Sequence, residues 1–231
     1  MNGFLTALSF LTIFKINLIE YDNKNASKFF PLIGFILGLP AVLILKSDIF
    51  LKEGLALVFL IVMTGALHLD GLADTCDALF SHKNLNQKLE IMKDSRIGVM
   101  GSIALFLLLM FKLEILTYIN PYFVPVSMFC SRFIGVFIMG SLEYAREQGT
   151  GSFFKGCDFN KNLFSLLISS LLLFFFIDVK QYIFLVIITV ILGKFLIYMF
   201  KKYFGGWTGD LTGAGIEFSE IIILYILAAI F

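Results

Sequence analysis

Seven stretches of the chain, roughly 29–46, 54–69, 98–118, 121–142, 162–178, 181–200 and 214–231, are predominantly apolar. A helix needs about 20 such residues to cross ~30 Å of hydrocarbon. Of the 231 residues, 59% are hydrophobic, 28 are Phe and only 15% are charged. A soluble domain is usually about 45–50% apolar and about 25% charged. No soluble core of this length hides so much apolar surface, so the lipid bilayer must act as solvent for most of it. The expectation is an all-α, polytopic integral membrane helical bundle of about seven or eight helices, forming one domain over 1–231. Residues 3–19 either add the eighth helix or lie along the interface. No linker, internal repeat or low-complexity tract divides the chain, and no removable signal peptide is visible at its start.

Loop charges give the sidedness. Loops 20–28, 81–97, 143–161 and 201–212 carry Lys24, Lys28, Lys83, Lys88, Lys93, Arg96, Arg146, Lys155, Lys161, Lys201 and Lys202, whereas the opposite set carries Lys46, Lys52 and Lys180. Under the positive-inside rule the richer set faces the cytoplasm, which places the chain as a multi-pass protein of the cytoplasmic membrane. A net charge of +1 argues against nucleic acid as a partner. Cys76, Cys130 and Cys157 lack metal-ligand spacing and read as reduced space-filling thiols.

Against this apolar background the run HLDGLADTCDAL, His68 to Leu79, stands out at the end of a greasy stretch. Asp70, Asp74 and Asp77 stand at i, i+4 and i+7, within about 60° of one another on a helix. Three carboxylates on one stripe repel, and near a membrane they are costly to leave unpaired. Two escapes exist, raised pKa values or a hard divalent cation, and Mg²⁺ takes a few carboxylates together with waters and substrate phosphate. A solvated helix end would account for any single Asp but not for the stripe. His68, two residues before Asp70, points the other way on a continuous helix; a break at Gly71 would return it toward the metal. It reads equally as an interfacial histidine or a catalytic base. His82 lies in a polar loop.

A second cluster, KLEIMKDSRIGVMG at 88–101, sets Lys93, Asp94, Ser95 and Arg96 before a span that opens with Gly98 and Gly101. Helix N-termini with small residues suit anionic phosphate, and Lys and Arg add charge-assisted bonds to phosphoryl oxygens. A third, GGWTGDLTGAGIE at 205–217, has five glycines in thirteen residues and contributes Thr208 and Asp210, the latter a further oxygen ligand. Arg132 lies within a predicted span and must face a polar cavity or a carboxylate. Arg146 in AREQGTG already belongs to a basic loop. Carboxylates for Mg²⁺ and cations for phosphate, gathered on one face, together suggest phosphoryl transfer.

The chain resembles the cobalamin synthase family, the adenosylcobinamide-GDP ribazoletransferases, nearly end to end. The resemblance is carried by FLT at 10–12, FPLIGFILG at 30–38, TGALHLDGLADTCDAL at 64–79, IMKDSRIGVMG at 91–101, SR at 131–132, AREQGTG at 145–151 and GGWTGD at 205–210. HLDGLAD together with KDSRIG is the specific signal. Two departures are mild: FLT continues as IFKIN rather than with a basic residue and proline, and Ala78 replaces the usual Gly.

The resemblance implies that α-ribazole or its 5′-phosphate is joined to adenosylcobinamide-GDP, giving adenosylcobalamin or its 5′-phosphate and GMP. The ribazole 3′-hydroxyl would attack the phosphorus that bears the cobinamide. Asp70, Asp74 and Asp77, with Asp210, are the expected Mg²⁺ ligands, and Lys93 and Arg96 the expected partners of the nonbridging oxygens. Asp94 or His68 would accept the hydroxyl proton; Ser95, Arg132, Arg146 and Thr208 complete the expected substrate contacts. The oligomeric state is open, a homo-oligomer included. The nearest alternative is a CDP-alcohol phosphotransferase, whose DxxDGxxAR…GxxxDxxxD pattern differs from DGLADTCD. An ion-coupled transporter would place its charges nearer mid-membrane and usually shows paired halves.

Overall fold

A computed structural model gives the fold of residues 2–147 and 149–231; Gln148 of the AREQGTG run and the side chains of Thr150, Lys161 and Phe164 lie outside the described residues. The chain is all-helical. Among the described residues, five helices are long and apolar enough to cross a membrane: Asn23–Lys46, Val99–Tyr118, Phe123–Ser141, Val179–Phe204 and Gly209–Ile230. They correspond to five of the expected spans. The remaining stretches depart from expectation, each for a local reason.

The stretch expected as one span over 54–69 breaks into α4 (Lys52–Met63) and α5 (Leu67–Leu79), bent by 86°. Gly65 and Ala66 both adopt the left-handed region, at φ 58 and φ 56. The Thr64 hydroxyl donates back to the carbonyls of Leu60 and Ile61, at 3.0 and 3.2 Å, in competition with continued helix. If this bent pair is one span, the candidate spans among the described residues number six. The break expected at Gly71 does not occur, because α5 runs through it unbroken.

Residues 162–178 form a short α9 (Phe159–Ser170) that tightens into a 3₁₀ turn over Leu171–Phe175. Ser169 and Ser170 turn their hydroxyls onto the Leu166 and Leu167 carbonyls, at 2.9 and 2.7 Å, where the helix gives way. At the N-terminus α1 (Asn2–Leu11) has ten residues, too few to span hydrocarbon.

The core is built around α8 (Phe123–Ser141), most of whose residues are buried. It packs against α3 (Phe30–Lys46), α10 (Val179–Phe204) and α11 (Gly209–Ile230). Between α5 and α7 (Val99–Tyr118) lies the short α6 (Leu85–Ile91). With lipid outside, apolar burial gives little drive, so close van der Waals contact through small residues matters more.

The four charge-rich loops meet at one end of this bundle. Asn162 donates to Ser27 across 3.2 Å, near the start of α3. Lys88 lies over the rings of Tyr203 and Phe204. Tyr144 and Trp207 form a parallel bridge, closed by Ala145 N–H to Trp207 and Trp207 N–H to Glu143, both at 2.9 Å. The other end is held by Lys46 donating to the Tyr122 hydroxyl at 2.8 Å and by Ser170 paired with Tyr182 at 2.7 Å.

Candidate active site

The acidic stripe sits on α5, and its three carboxylates meet different surroundings. Asp70 is exposed, and Asp74 and Asp77 are half-buried. Both oxygens of Asp77 accept backbone amides at the start of α7: Gly98 N–H at 2.7 Å and Gly101 N–H at 2.8 Å. The N-terminus that the sequence suggested for phosphate is therefore capped by a side chain of the chain itself, a favourable use of the helix dipole.

On its other flank α5 lies against α11. A Cβ at Gly71 would come within 2.6 Å of the Asp210 carbonyl oxygen, so only glycine permits this approach. The contact brings Asp210, in the first turn of α11, to the stripe. Asp70, Asp74 and Asp210 lie close enough to repel one another. Thr208 caps α11 by accepting the Leu211 N–H at 3.1 Å, and it is fully buried.

Arg146 supplies the opposing charge. The Tyr144–Trp207 bridge delivers its loop to α11, and Arg146 Nη1 donates to Asp210 Oδ2 at 2.8 Å. Its side chain is 10% exposed, yet Nε and Nη2 have no hydrogen-bond partner among the described residues. Buried guanidinium N–H groups without a partner are costly, and an anion arriving beside the carboxylates would satisfy them.

The KDSR residues occupy the loop between α6 and α7. Lys93 Nζ lies 2.7 Å from Glu90 Oε1. Arg96 donates to Asp94, 2.6 Å at the shortest, and this bond holds the Asp94 carboxyl down to about 2. Ser95 is exposed. Lys93 and Arg146 line a polar cavity of about 880 Å³ with α6.

His68 and Arg132 are elsewhere. His68 faces the opposite side of α5, buried, with Nδ1 unpartnered and 4.0 Å from Glu217. Arg132 pairs with Glu220 and donates to Ser131 at 2.9 Å. Lys112 bonds Glu217 at 2.6 Å and Glu220 at 2.7 Å. The expected carboxylate for Arg132 is thus Glu220. Lys112, Glu217 and Glu220 escaped the sequence reading, although ionisable residues inside apolar spans were a visible signal.

Among the described residues no three His, Cys, Asp or Glu side chains converge to hold a metal ion as they stand. The donor chemistry nevertheless suits Mg²⁺. Asp70 and Asp74 offer oxygen only, one helical turn apart, and Mg²⁺ commonly takes one or two carboxylates with substrate phosphates completing its shell.

Comparison with known proteins agrees along the whole chain. Residues 3–228 match the family described as cobalamin-5-phosphate synthase. Relatives named adenosylcobinamide-GDP ribazoletransferase include one from Thermodesulfovibrio yellowstonii, 37% identical over 97% of this chain and 95% of its own. One from Clostridium kluyveri is 34% identical over 100% and 97%; one from Escherichia coli is 33% identical over 86% and 85%. No solved structure matches. The chain belongs to the cobalamin-5-phosphate synthase family.

Proposed function

We propose that this chain is a membrane-embedded transferase that joins adenosylcobinamide-GDP to α-ribazole or α-ribazole 5′-phosphate and releases GMP. The observation that carries the chemistry is the approach of Asp70, Asp74 and Asp210 to an Arg146 that keeps two buried nitrogens, Nε and Nη2, unpartnered among the described residues. A diphosphate is the anion that suits this arrangement, since Arg forks bind phosphoryl oxygens in pairs. The family match over 3–228 favours this reading over a CDP-alcohol phosphotransferase or a transporter.

Asp70 and Asp74 would hold Mg²⁺, which when bound supplies charge neutralisation on the diphosphate. Arg146 binds its nonbridging oxygens. The ribazole 3′-oxygen forms a bond to the phosphorus bearing the cobinamide, the bond from that phosphorus to the GMP oxygen breaks, and GMP departs with the electron pair. Of the two candidate proton acceptors, His68 is enclosed on the far face of α5, whereas Asp94 opens to solvent. Asp94 therefore takes the hydroxyl proton, once substrate phosphate has drawn Arg96 away from it. The four charge-rich loops, gathered at one end, face the cytoplasm under the positive-inside rule.

The test is purified protein in detergent, given adenosylcobinamide-GDP, α-ribazole and Mg²⁺. GMP release by the wild type and its loss in Asp70→Ala support the reading. An inactive wild type overturns it.

A further inference from the structure

The polar cavity of about 880 Å³ beside Arg146 has no assigned occupant. It lies between α6 and residues Ala145, Arg146, Glu147 and Gly149, at the end where the charge-rich loops meet, and its lining includes Asn86, Glu90 and Lys93. Its size falls within the range of small-molecule sites, about 300–1,000 Å³. Arg146 belongs both to this cavity and to the acidic site, through its bond to Asp210. Its buried Nε and Nη2, unpartnered among the described residues, mark where an anionic group would bind. A nucleotide with its phosphate on Arg146 has room for its base toward α6.

The base is selected by what α6 presents. Glu90 puts a carboxylate on the lining, and Lys93 bonds Oε1 at 2.7 Å, which fixes the orientation of the group while leaving Oε2 to accept. Guanine offers two adjacent donors on its pairing edge, N1–H and the N2 amino group, and a carboxylate accepts both. Adenine offers a lone pair at N1, which a carboxylate repels.

We propose that this cavity is the guanosine subsite, and that Glu90 is the residue that reads the guanine edge. The inference rests on the transferase reading above and adds to it the determinant of nucleotide choice. Lys93 acts there by orienting Glu90, and Arg146 holds the phosphate that links the subsite to the acidic stripe.

Binding of GMP, IMP and AMP to the full-length protein in lipid nanodiscs, measured by calorimetry without turnover, tests this. The wild type is expected to bind GMP about tenfold more tightly than IMP, which lacks the N2 donors. AMP should bind about a hundredfold more weakly than GMP, because a site built for donors rejects an analogue lacking them. In Glu90→Gln the carboxamide pairs with adenine as well as with guanine, so the preference for GMP over AMP should shrink by tenfold or more. Glu90 is exposed, so its replacement is expected to leave the fold intact. An unchanged GMP-to-AMP ratio in Glu90→Gln, or a loss of discrimination in Glu147→Gln instead, overturns the assignment. If the wild type still releases GMP from adenosylcobinamide-GDP in that case, only the subsite falls and the transferase reading stands.

Discussion

Arg146 Nη1 donates to Asp210 Oδ2 at 2.8 Å and so fastens the loop after α8 to the first turn of α11. Together with the Ala145 N–H to Trp207 bond, it joins the two segments, AREQGTG and GGWTGD, that lie some sixty residues apart in sequence. It also leaves the guanidinium's Nε and Nη2 buried and, among the described residues, without a partner. Arg146→Lys keeps the charge but loses the fork, and a lysine at a forked site is not a conservative change. We expect a fall of about 10²–10³-fold in kcat/KM, the range for removing one transition-state donor. Steady-state GMP release checks it.

Asp70 and Asp77 should separate when each is replaced by Asn. Asp77 caps α7 through Gly98 and Gly101, and loss of a cap costs about 0.5–2 kcal/mol. Asp77→Asn should therefore lower the thermal midpoint. Asp70 is exposed and makes no side-chain bond among the described residues, so Asp70→Asn should abolish turnover at unchanged thermal stability. Paired melting and activity measurements on the two variants decide.

The contrast between these aspartates shows what the sequence could convey. Spacing alone places Asp70, Asp74 and Asp77 on one stripe, and the apolar runs forecast α3, α7, α8, α10 and α11. That Asp77 is consumed by the start of α7 depends on how two helices dock, and no periodicity carries that information. The 86° bend depends on two consecutive left-handed residues, one of them Ala66, a conformation Ala rarely adopts. Ten residues of α1 and the serine-loosened end of α9 are too short to span, although their composition reads as apolar. Arg132 could be seen to need a carboxylate, but its identity as Glu220 required the fold.

Gly71 is a site where one methyl group should matter. An added Cβ falls 2.6 Å from the Asp210 carbonyl oxygen, whereas a Cβ at Gly54 meets nothing within 4 Å. Overpacking of this kind costs about 1–3 kcal/mol. Gly71→Ala should destabilise by that amount and depress activity as α5 and α11 are forced apart. Gly54→Ala should be neutral or slightly stabilising. Thermal unfolding of the two single variants provides the comparison.

Lys112 holds two buried carboxylates, Glu217 and Glu220, the second shared with Arg132. Lys112→Met leaves Glu217, among the described residues, with no basic side chain nearer than His68 at 4.0 Å. Breaking a buried pair by removing one member costs about 3–5 kcal/mol. The variant should unfold at markedly lower temperature, and Lys112→Met combined with Glu217→Gln should recover part of the loss.

Asp94 gives the pH dependence. Arg96 holds its carboxyl at about 2, so in the free enzyme it is ionised throughout the working range. Removal of the partner in Arg96→Gln returns it toward the ordinary value of about 3.9. Because the ionised form accepts the proton, the acid limb of kcat/KM should move upward in pH, with activity lost between about pH 3 and 5 in the variant before the wild type. An acid limb that does not move would remove Asp94 from the reaction.

The account turns on neighbouring carboxylates of α5 gripping a divalent ion against a diphosphate. The most direct measurement is GMP release from adenosylcobinamide-GDP and α-ribazole as Mg²⁺ is titrated, for the wild type and for Asp70→Ala with Asp74→Ala. We predict saturable dependence on Mg²⁺ in the wild type and no turnover at any Mg²⁺ concentration in the double variant. Full activity after exhaustive chelation, or wild-type turnover by the double variant, would contradict it.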